Sequence, residues 1–274
     1  MENIMDKILL SNGVEIGYNY QFVDESLETL VFMNGTFNTM RDWNEIGDIL
    51  KQKRPYNILT FDMRNQGEST KFTTDFAYSD FVEDVSNLFE ALKLDQFTLI
   101  TYSSASTIAI DYILGHPNKV NRLILGAPVI NPYGKFKSQL LSRSSLKMFE
   151  IGDLSDVIVL SFGLMYSNRF IEQSKDFFEA IQDQFLQSID KEVLLPYMKA
   201  WDGNEMDIAK ITTAFSGIPV FYIHGEEDVF NPVYFSEKLQ SEVPGFQLCT
   251  LLGNGHDFLA EDKEGYIRLL QEIL

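Results

Sequence analysis

The chain has 274 residues, of which 45% are hydrophobic, and its formal net charge at pH 7 is −18. A chain of this length and composition can bury a large core, and it is compatible with one large α/β domain that carries an insertion. The negative charge argues against nonspecific nucleic-acid binding, because phosphate contacts require clustered cations that this composition does not supply.

The N-terminal sequence and the cysteine content indicate where the protein resides. Residues 1–7 contain no basic region followed by an apolar stretch, and no run of about eighteen apolar residues occurs, so we expect neither a signal peptide nor a membrane span. The single cysteine, Cys249, excludes an internal disulfide and fits a reducing compartment. We therefore expect a cytoplasmic protein.

In the first half of the chain, predicted strands alternate with predicted helices after an antiparallel start. Short apolar runs and turn residues such as Asn12-Gly13 predict the strands, and apolar stripes with helical spacing predict the helices. The predicted strands are 7–10, 14–23, 29–33, 56–61, 97–102 and 120–125, and the predicted helices are 40–53, 79–93 and 104–115. This alternation is typical of a doubly wound, mostly parallel sheet.

The alternation stops after Pro128 and resumes near the C-terminus. Residues 131–212 hold helical patterns, such as the one over 170–189, but no convincing strand. Strands are predicted again at 218–223 and 246–251, and helices at 232–242 and 263–274. We therefore expect an α/β core, 1–130 and 213–274, interrupted by a helical insertion.

Ser103 lies at the corner between the predicted strand 97–102 and the predicted helix 104–115. With strand 120–125 these elements form a βαβ unit, so the two strands should be parallel neighbours. A sharp turn at Ser103 would lift its hydroxyl clear of the sheet, and the next amide opens a helix whose N-terminal end favours negative charge. The pentapeptide Thr101-Tyr102-Ser103-Ser104-Ala105 departs from the nucleophile motif G-x-S-x-G at both glycines, and Thr101 is the larger departure.

Other motifs accompany this corner in a fixed order. They are Asn34-Gly35-Thr36 followed by Trp43, the segment FDMRNQGES at 61–69, His116-Pro117, HGEED at 224–228 and GNGH at 253–256. Together they resemble the α/β-hydrolase family, from its oxyanion loop to its histidine loop. The insertion 131–212 resembles the cap that many family members carry at this point. The resemblance implies an α/β-hydrolase fold and hydrolysis by a serine nucleophile.

A serine nucleophile needs a base within hydrogen-bond reach, and the sequence has three histidines. His116 lies at the far end of the elbow helix, roughly 18 Å from Ser103 at 1.5 Å per residue, so it is too far away. His224 ends a predicted buried strand, and we interpret it as a structural residue satisfied by its backbone neighbours. His256 follows the last predicted strand in a glycine-rich loop and is the candidate base.

An acid that orients this base is expected after strand 218–223. Three carboxylates follow that strand: Glu226, Glu227 and Asp228. The family spacing after His224-Gly225 implies Asp228, whereas the alternative acid position after the preceding strand holds Asn131, which cannot carry the charge. Asp257 is adjacent to the base in sequence, which disfavours the correct orientation of both side chains.

The negative oxygen of a tetrahedral intermediate needs two donors, and the candidates are the amides of Thr36 and Ser104. Asn34 stands where the family usually has histidine, which leaves donation by the backbone intact. The resemblance implies that Asp62 and Arg64 order the loop after the fourth strand rather than take part in chemistry.

Other chemistries lack the residues that they need. An aspartate nucleophile would require Asp at position 103, and Cys249 lies in an apparently buried strand, where a thiol is usually a packing group. His256-Asp257 is a single pair without further spaced ligands, so we expect no metal. The glycine-rich segments lack the order and the lysine of a phosphate-binding loop, so we expect no cofactor.

The insertion is rich in large apolar side chains, most of which should hold it together. They are Phe149, Phe162, Met165, Tyr166, Phe170, Phe177, Phe178, Phe185, Tyr197, Met198 and Trp201. The remaining ones could line an apolar acyl pocket above Ser103. We therefore favour a small-molecule ester or thioester with a fairly apolar acyl group, either free or bound to a carrier.

Several alternatives stay open. The basic residues Lys135, Lys137, Arg143 and Lys147 are interpreted as a solvated face, although they could attract an acidic carrier domain. On the same fold, the protein could cleave a C–C bond, a lactone or an acyl-carrier thioester, or act as a lyase or cyclase. It could also be a noncatalytic ligand-binding relative, which the departures at Thr101 and Asn34 would fit.

Overall fold

The computed structural model describes residues 5–130, 132–133, 135–151, 154–201 and 206–274. The prediction made for Asn131 lies outside the described residues. The predictions made for the side chains of Lys135, Lys137 and Phe185 also lie outside what the structure describes.

A mostly parallel sheet forms the centre of the fold. Its strands are β1 Asp6–Leu9, β2 Glu15–Gln21, β3 Thr29–Met33, β4 Asn57–Phe61, β5 Phe97–Tyr102, β6 Val120–Gly126, β7 Val220–Gly225 and β8 Phe246–Leu251. Among the described residues, the 8 strands are ordered β1-β2-β4-β3-β5-β6-β7-β8. Strand β2 is antiparallel to β1 and β4, and the other neighbouring strands are parallel. The predicted doubly wound α/β class is confirmed.

Helices connect the strands and cover the sheet. They are α1 Met40–Lys51, α2 Tyr78–Ala91, α3 Ala105–Gly115, α4 Lys135–Ile151, α5 Leu154–Met165, α6 Asn168–Gln173, α7 Lys175–Ser188, α8 Lys191–Ala200, α9 Ile208–Phe215, α10 Val233–Glu242, α11 Phe258–Glu261 and α12 Lys263–Ile273. Within the ranges given above, no helix is both long and apolar enough to cross a membrane.

The sheet separates two apolar cores. On β5, Phe97 and Leu99 pack into the core that includes α2 and α3, whereas Ile100 and Tyr102 pack into the core that includes α1 and α12. Because successive strand residues point to opposite faces and both faces are covered, β3 and β5 are buried along their whole length. Full burial of one such large apolar side chain stabilises the fold by roughly 1.5–3 kcal/mol.

One predicted helix in the insertion is wrong in its extent. The region 170–189 holds two helices, α6 and α7, because the backbone of Ser174 leaves the helical region at φ −125 and ψ 38. The Ser174 carbonyl accepts hydrogen bonds from the amides of Phe177 and Phe178, which begins α7. Aromatic residues continue on both sides of the break, and the apolar pattern therefore hides it.

Between β6 and β7, the described residues form helices α4 to α9 and no strand. Ile211, Ala214 and Phe215 of α9, the last of these helices, are buried in the core that includes α3, as are Tyr197 and Ala200 of α8. Helix α9 therefore supports the sheet.

Candidate active site

Ser103 lies in a strained turn between β5 and α3. Its φ of 51 lies in the left-handed region, which costs a residue with a side chain about 1–2 kcal/mol. The backbone around it is fixed by hydrogen bonds: its amide donates to the Gly126 carbonyl at 2.8 Å, and its carbonyl accepts from the amides of Ser106 at 3.1 Å and Val129 at 3.3 Å. The turn presents a partly exposed Ser103 hydroxyl at the end of β5.

The two departures from G-x-S-x-G are accommodated locally. The hydroxyls of Thr101 and Ser106 are 3.1 Å apart and hydrogen-bonded, so the Thr101 side chain is paired inside the strand–helix contact. Ala105 is fully buried with only a methyl group to place. These positions thus fit the tight turn without glycine.

His256 reaches Ser103 from the loop after β8. Its Nε2 is 2.8 Å from the Ser103 Oγ, and its Nδ1 is 2.8 Å from the Asp228 Oδ2. Because an ionised carboxylate only accepts, Nδ1 carries a proton for Asp228 and Nε2 accepts from the Ser103 hydroxyl. The structure therefore brings Ser103, His256 and Asp228 together in one hydrogen-bonded chain.

The electrostatics of this chain raise the pKa of His256. His256 and Asp228 are each 2% exposed. Burial alone would lower the pKa of His256, but the charge and hydrogen bond of Asp228, together with the charge of Asp257, outweigh it and leave that pKa raised. The other Asp228 oxygen, Oδ1, accepts from the Asn231 amide at 3.0 Å, which fixes the carboxylate.

The loop that carries His256 is packed closely against the end of β7. A Cβ on Gly225 would lie 2.1 Å from the Gly255 carbonyl oxygen and 2.3 Å from that of Asn254, so only glycine fits there. The Glu227 amide donates to the Asn254 carbonyl at 2.8 Å. Loop and strand end are thus held together, which sets the distance between His256 and Asp228.

The Asp257 carboxylate pairs with two tyrosine hydroxyls. Its carboxylate accepts from the hydroxyls of Tyr166 at 3.0 Å and Tyr102 at 3.4 Å, and the Tyr102 hydroxyl also donates to the His256 carbonyl at 2.9 Å. Burial raises the pKa of Asp257. Asp257 therefore anchors the loop to Tyr166, which follows α5, and to Tyr102 of β5.

The other two acids after β7 hold loops. The Glu226 carboxylate accepts from the Gly253 amide at 2.9 Å, and that of Glu227 accepts from the Asn168 amide at 3.2 Å. Neither contacts His256 in the described structure.

The remaining histidines have structural partners. His224 is fully buried, and its ring nitrogens pair with the hydroxyls of Ser236 at 3.1 Å and Thr250 at 3.3 Å. Its partners are thus side-chain hydroxyls rather than the expected backbone groups, and burial lowers the pKa of His224 to about 4. At the far end of α3, the His116 ring stacks on Tyr112 with centroids 4.4 Å apart.

The two residues that carry the candidate oxyanion amides are in side-chain contact. The Thr36 Oγ1 and Ser104 Oγ are 2.9 Å apart. In the part of the chain that the structure describes, neither the Thr36 amide nor the Ser104 amide donates to a protein acceptor. A Cβ on Gly35 would lie 3.1 Å from the Ser103 Cβ, so glycine lets the loop approach the serine closely.

Asn34 is buried behind this loop. Its Oδ1 accepts from the Trp43 indole at 2.7 Å, and its amide nitrogen donates to the Phe61 carbonyl at 2.8 Å and to Asp62 at 3.1 Å. The Asp62 carboxylate also accepts from the Met40 amide at 2.7 Å. The side chain that replaces the usual histidine thus fixes the start of the loop.

Arg64 forms a buried ion pair with Asp84. Its Nε and Nη2 donate to the two carboxylate oxygens at 2.6 and 2.7 Å. Arg64 therefore ties the loop after β4 to α2, as expected of a structural residue.

Cys249 is only half-buried, contrary to the expectation of a buried strand, because β8 is an edge strand. Burial and then the charge of Glu272 raise the pKa of its thiol, which disfavours the reactive thiolate. No group of three or more metal-binding side chains occurs among the residues that the structure describes.

Aromatic side chains of the insertion form two groups. One is a cluster of rings whose centroids lie 5.1–6.1 Å apart: Phe162, Tyr166, Phe170, Phe177 and Phe178. In the other, Tyr197 of α8 and Trp201, which follows α8, pack on Phe81 of α2, with centroids 5.1 Å away in each case. Mutual packing thus accounts for many of these side chains.

Gln66 contacts the oxyanion loop, and the sequence did not single it out. Its Nε2 donates to the carbonyls of Gly35 at 2.6 Å and Thr36 at 3.1 Å and to the Tyr197 hydroxyl at 3.2 Å. The available signal was its place inside the segment 61–69, which was interpreted only for Asp62 and Arg64.

The fold and site define an α/β hydrolase, and comparison with known proteins agrees. The sequence profile of the family described as alpha/beta hydrolase fold matches residues 28–263, so the chain belongs to this family and is a hydrolase of the α/β class. The chain is 25% identical over 236 residues to AB hydrolase superfamily protein YisY of Bacillus subtilis, covering 81% of this chain and 82% of YisY.

Solved structures share the whole fold. MGS-M2, an alpha/beta hydrolase from a Medee basin deep-sea metagenome library, superimposes with a TM-score of 0.85 at 18% identity, covering 96% of this chain and 95% of that one. An esterase from Exiguobacterium antarcticum superimposes with a TM-score of 0.81 at 16% identity, covering 98% of this chain and 99% of that one.

Proposed function

We propose that this protein is a serine hydrolase that cleaves a carboxylic ester or thioester with a fairly apolar acyl group through an acyl-enzyme. One observation carries the proposal: hydrogen bonds of 2.8 Å join Ser103 to His256 and His256 to Asp228. A hydroxyl is a weak nucleophile at neutral pH, and such a chain supplies the base and its orienting acid.

In the proposed first half-reaction, the Ser103 Oγ attacks the carbonyl carbon while His256 Nε2 takes the hydroxyl proton. Asp228 stabilises the resulting imidazolium, and the amides of Thr36 and Ser104 donate to the oxyanion. The tetrahedral intermediate then collapses: the bond to the alcohol or thiol breaks, and His256 returns the proton to that leaving group. The acyl group stays on Ser103 as an ester.

In the second half-reaction, water attacks the acyl carbon and His256 takes a proton from it. The bond to the Ser103 Oγ breaks, His256 protonates that oxygen, and the carboxylic acid leaves. The net reaction adds one water across the ester or thioester, and both steps use the same donors to the oxyanion.

The proposed substrate class rests on the large apolar side chains of the insertion. We propose that the part of the insertion that precedes α9 acts as a cap whose apolar side chains receive the acyl group, either free or on a carrier. The similar structure from Exiguobacterium antarcticum is described as an esterase, which makes simple esters the first substrates to test.

The test is the intact mass of the protein after reaction with a fluorophosphonate probe. We expect one adduct on the wild type and none on Ser103→Ala or His256→Ala. Ser86→Ala is the matched control, because the Ser86 hydroxyl donates to the Val82 carbonyl within α2 and should not affect labelling. Turnover is then measured on a panel of esters, thioesters and lactones to rank these substrate classes.

Two outcomes would contradict the proposal. Full turnover by a folded Ser103→Ala variant would mean that Ser103 is not the nucleophile. A wild type that binds ligands but neither turns over the panel nor reacts with the probe would instead support a noncatalytic role.

A further inference from the structure

Gln66 joins three segments beside the candidate oxyanion donors. It is 6% exposed and lies in the loop between β4 and α2. Its side-chain amide donates to two carbonyls of the oxyanion loop, Gly35 and Thr36, and to the hydroxyl of Tyr197 in α8. The Gly35 bond is the shortest of the three at 2.6 Å, so the amide is directed mainly at that peptide group.

The Gly35 carbonyl and the Thr36 amide belong to one peptide group. A trans peptide is planar, and its C=O and N–H point in opposite directions, so a bond that fixes the carbonyl also fixes the direction of the N–H. Glycine on one side of this peptide permits more backbone rotation than other residues do. Among the described residues, the one other hydrogen bond to the Gly35 carbonyl comes from the Asn38 amide at 3.3 Å. Gln66 is therefore the stronger restraint on the direction of the Thr36 N–H.

The loop that carries Gln66 is itself rigid. The Lys71 ammonium donates to the backbone carbonyls of Gln66 at 2.5 Å and Gly67 at 2.6 Å. The backbone amide of Gln66 donates to the Met63 carbonyl at 2.9 Å. The Gln66 Oε1 accepts from the Met63 amide at 3.3 Å, which fixes which end of the side chain faces the oxyanion loop. A restrained loop can hold the Gly35 carbonyl at a set position.

The same loop contacts the insertion. Asn65 donates to the Val193 carbonyl of α8 at 2.8 Å, and the Tyr197 hydroxyl lies within reach of Gln66. The side chains of Thr36 and Ser104 also interact with the buried Tyr197 phenol. Helix α8 and the oxyanion loop thus share one hydrogen-bond network centred on Gln66.

We propose that Gln66 is a positioning residue that aims the Thr36 amide at the oxyanion. This inference rests on the proposed function, because it requires that the Thr36 amide stabilises the tetrahedral intermediate. Donors that are held in place before the reaction stabilise the transition state more than the bound substrate, so their loss lowers kcat more than it affects KM.

The first test compares Gln66→Met with the wild type and with Gln96→Met. Methionine is close to glutamine in size but cannot donate. Gln96 is exposed, and its side chain donates to the Asn118 carbonyl, outside the site. For Gln66→Met we expect kcat to fall roughly 10- to 100-fold, less than the 10²–10³-fold cost of removing an oxyanion donor outright. The KM of Gln66→Met should change less than about threefold, and so should kcat and KM of Gln96→Met.

A boronic acid that forms a tetrahedral adduct with serine gives an independent measurement. Its inhibition constant should rise in Gln66→Met by about the factor by which kcat/KM falls, because both depend on the same donors. A residue that acted only through folding would not produce this parallel change in a variant with a native circular dichroism spectrum.

Gln66→Glu keeps the side-chain size and the acceptor for Met63, and it serves where Gln66→Met does not fold. An ionised glutamate faces the Gly35 carbonyl without a proton to donate, whereas a protonated one can donate once. The ratio of variant to wild-type kcat should therefore rise as pH falls. Using the ratio removes the titration of His256, which both proteins share.

The outcomes distinguish a failure of this inference from a failure of the proposed function. If wild type forms no fluorophosphonate adduct, the proposed function fails and this inference fails with it. If wild type is labelled but kcat of Gln66→Met stays within about threefold, or KM rises while kcat is unchanged, only the positioning role is overturned. A pH-independent kcat ratio for Gln66→Glu would overturn it as well.

Discussion

Ser103, His256 and Asp228 meet although 153 residues separate the first two and 28 separate the last two. Ser103 follows β5, Asp228 follows β7 and His256 follows β8, and these strands belong to the parallel part of one sheet. Parallel strands end at the same edge, so loops distant in sequence converge there. For this reason, the order of the motifs along the chain indicated these three residues, although the sequence shows no contact between them.

Replacing Asp228 tests the origin of the His256 pKa. General-base catalysis needs a neutral imidazole, so the raised pKa places the acid limb of kcat/KM above the ordinary value of about 6.5. Asp228→Asn removes the charge that opposes the effect of burial. We therefore expect the acid limb to move to lower pH while the maximal kcat falls by up to about 10⁴-fold, since the imidazole loses its orienting partner.

The measurement is kcat/KM between pH 5 and 9 for wild type and Asp228→Asn. Glu226→Gln is the matched control, because Glu226 lies in the same loop and contacts Gly253 instead of His256. An acid limb that stays in place in Asp228→Asn would show that another group sets the pKa of the base.

Other residues of the site could not be inferred from sequence. The partners of Gln66 lie 31 residues away at Gly35 and 131 residues away at Tyr197, and no local pattern predicts contacts of that range. The hydroxyl partners of His224 were missed for the same reason, since α10 and β8 supply them only after the sheet has formed.

Among the elements, three strands were predicted with the bounds that the structure has. The predicted strand 246–251 coincides with the edge strand β8, and 29–33 and 97–102 coincide with β3 and β5, which are buried along their whole length. Continuous apolar runs bounded by turn residues identify such strands strongly. The break at Ser174 escaped prediction because it depends on backbone hydrogen bonds that apolar spacing does not encode.

The contact between the end of β7 and the histidine loop gives a prediction for Gly225→Ala. The added methyl group would overlap backbone atoms of Asn254 and Gly255, which cannot move as a flexible side chain would. We expect unfolding free energy to fall by about 3 kcal/mol or more. We also expect kcat to fall by about 10²-fold, because the loop that carries His256 must shift by around 1 Å.

Gly163→Ala is the control for Gly225→Ala. Gly163 lies in α5, and a Cβ there would meet nothing within 4 Å. Because alanine favours helix more than glycine does, this change should stabilise by up to about 1 kcal/mol and leave kcat unaltered. Urea titration and steady-state kinetics measure both variants, and a Gly225→Ala protein with wild-type stability would refute the proposed packing restraint.

For the whole molecule, His224 links stability to pH. Its pKa is lowered to about 4 by burial, against the model-peptide value of about 6.5 expected in the unfolded chain. Between these values the unfolded chain binds a proton that the folded protein does not, so stability falls as pH decreases from about 6.5 to 4. The loss should reach about 3 kcal/mol near pH 4 and then stop growing.

His224→Gln isolates this effect, because glutamine can pair with the hydroxyls of Ser236 and Thr250 but does not titrate. Carboxyls with raised pKa values, such as the buried Asp62 and the half-buried Glu261, act in the opposite direction because the folded protein binds their protons more tightly. These carboxyls are present in both wild type and His224→Gln, so their contributions to the pH dependence of stability cancel in the comparison. Urea unfolding should therefore show that the free energy of unfolding falls between pH 7 and pH 4.5, and that this fall is about 2–3 kcal/mol larger in wild type than in His224→Gln. Equal losses in the two proteins would mean that His224 is not held neutral by the fold, and that acid sensitivity arises from other groups.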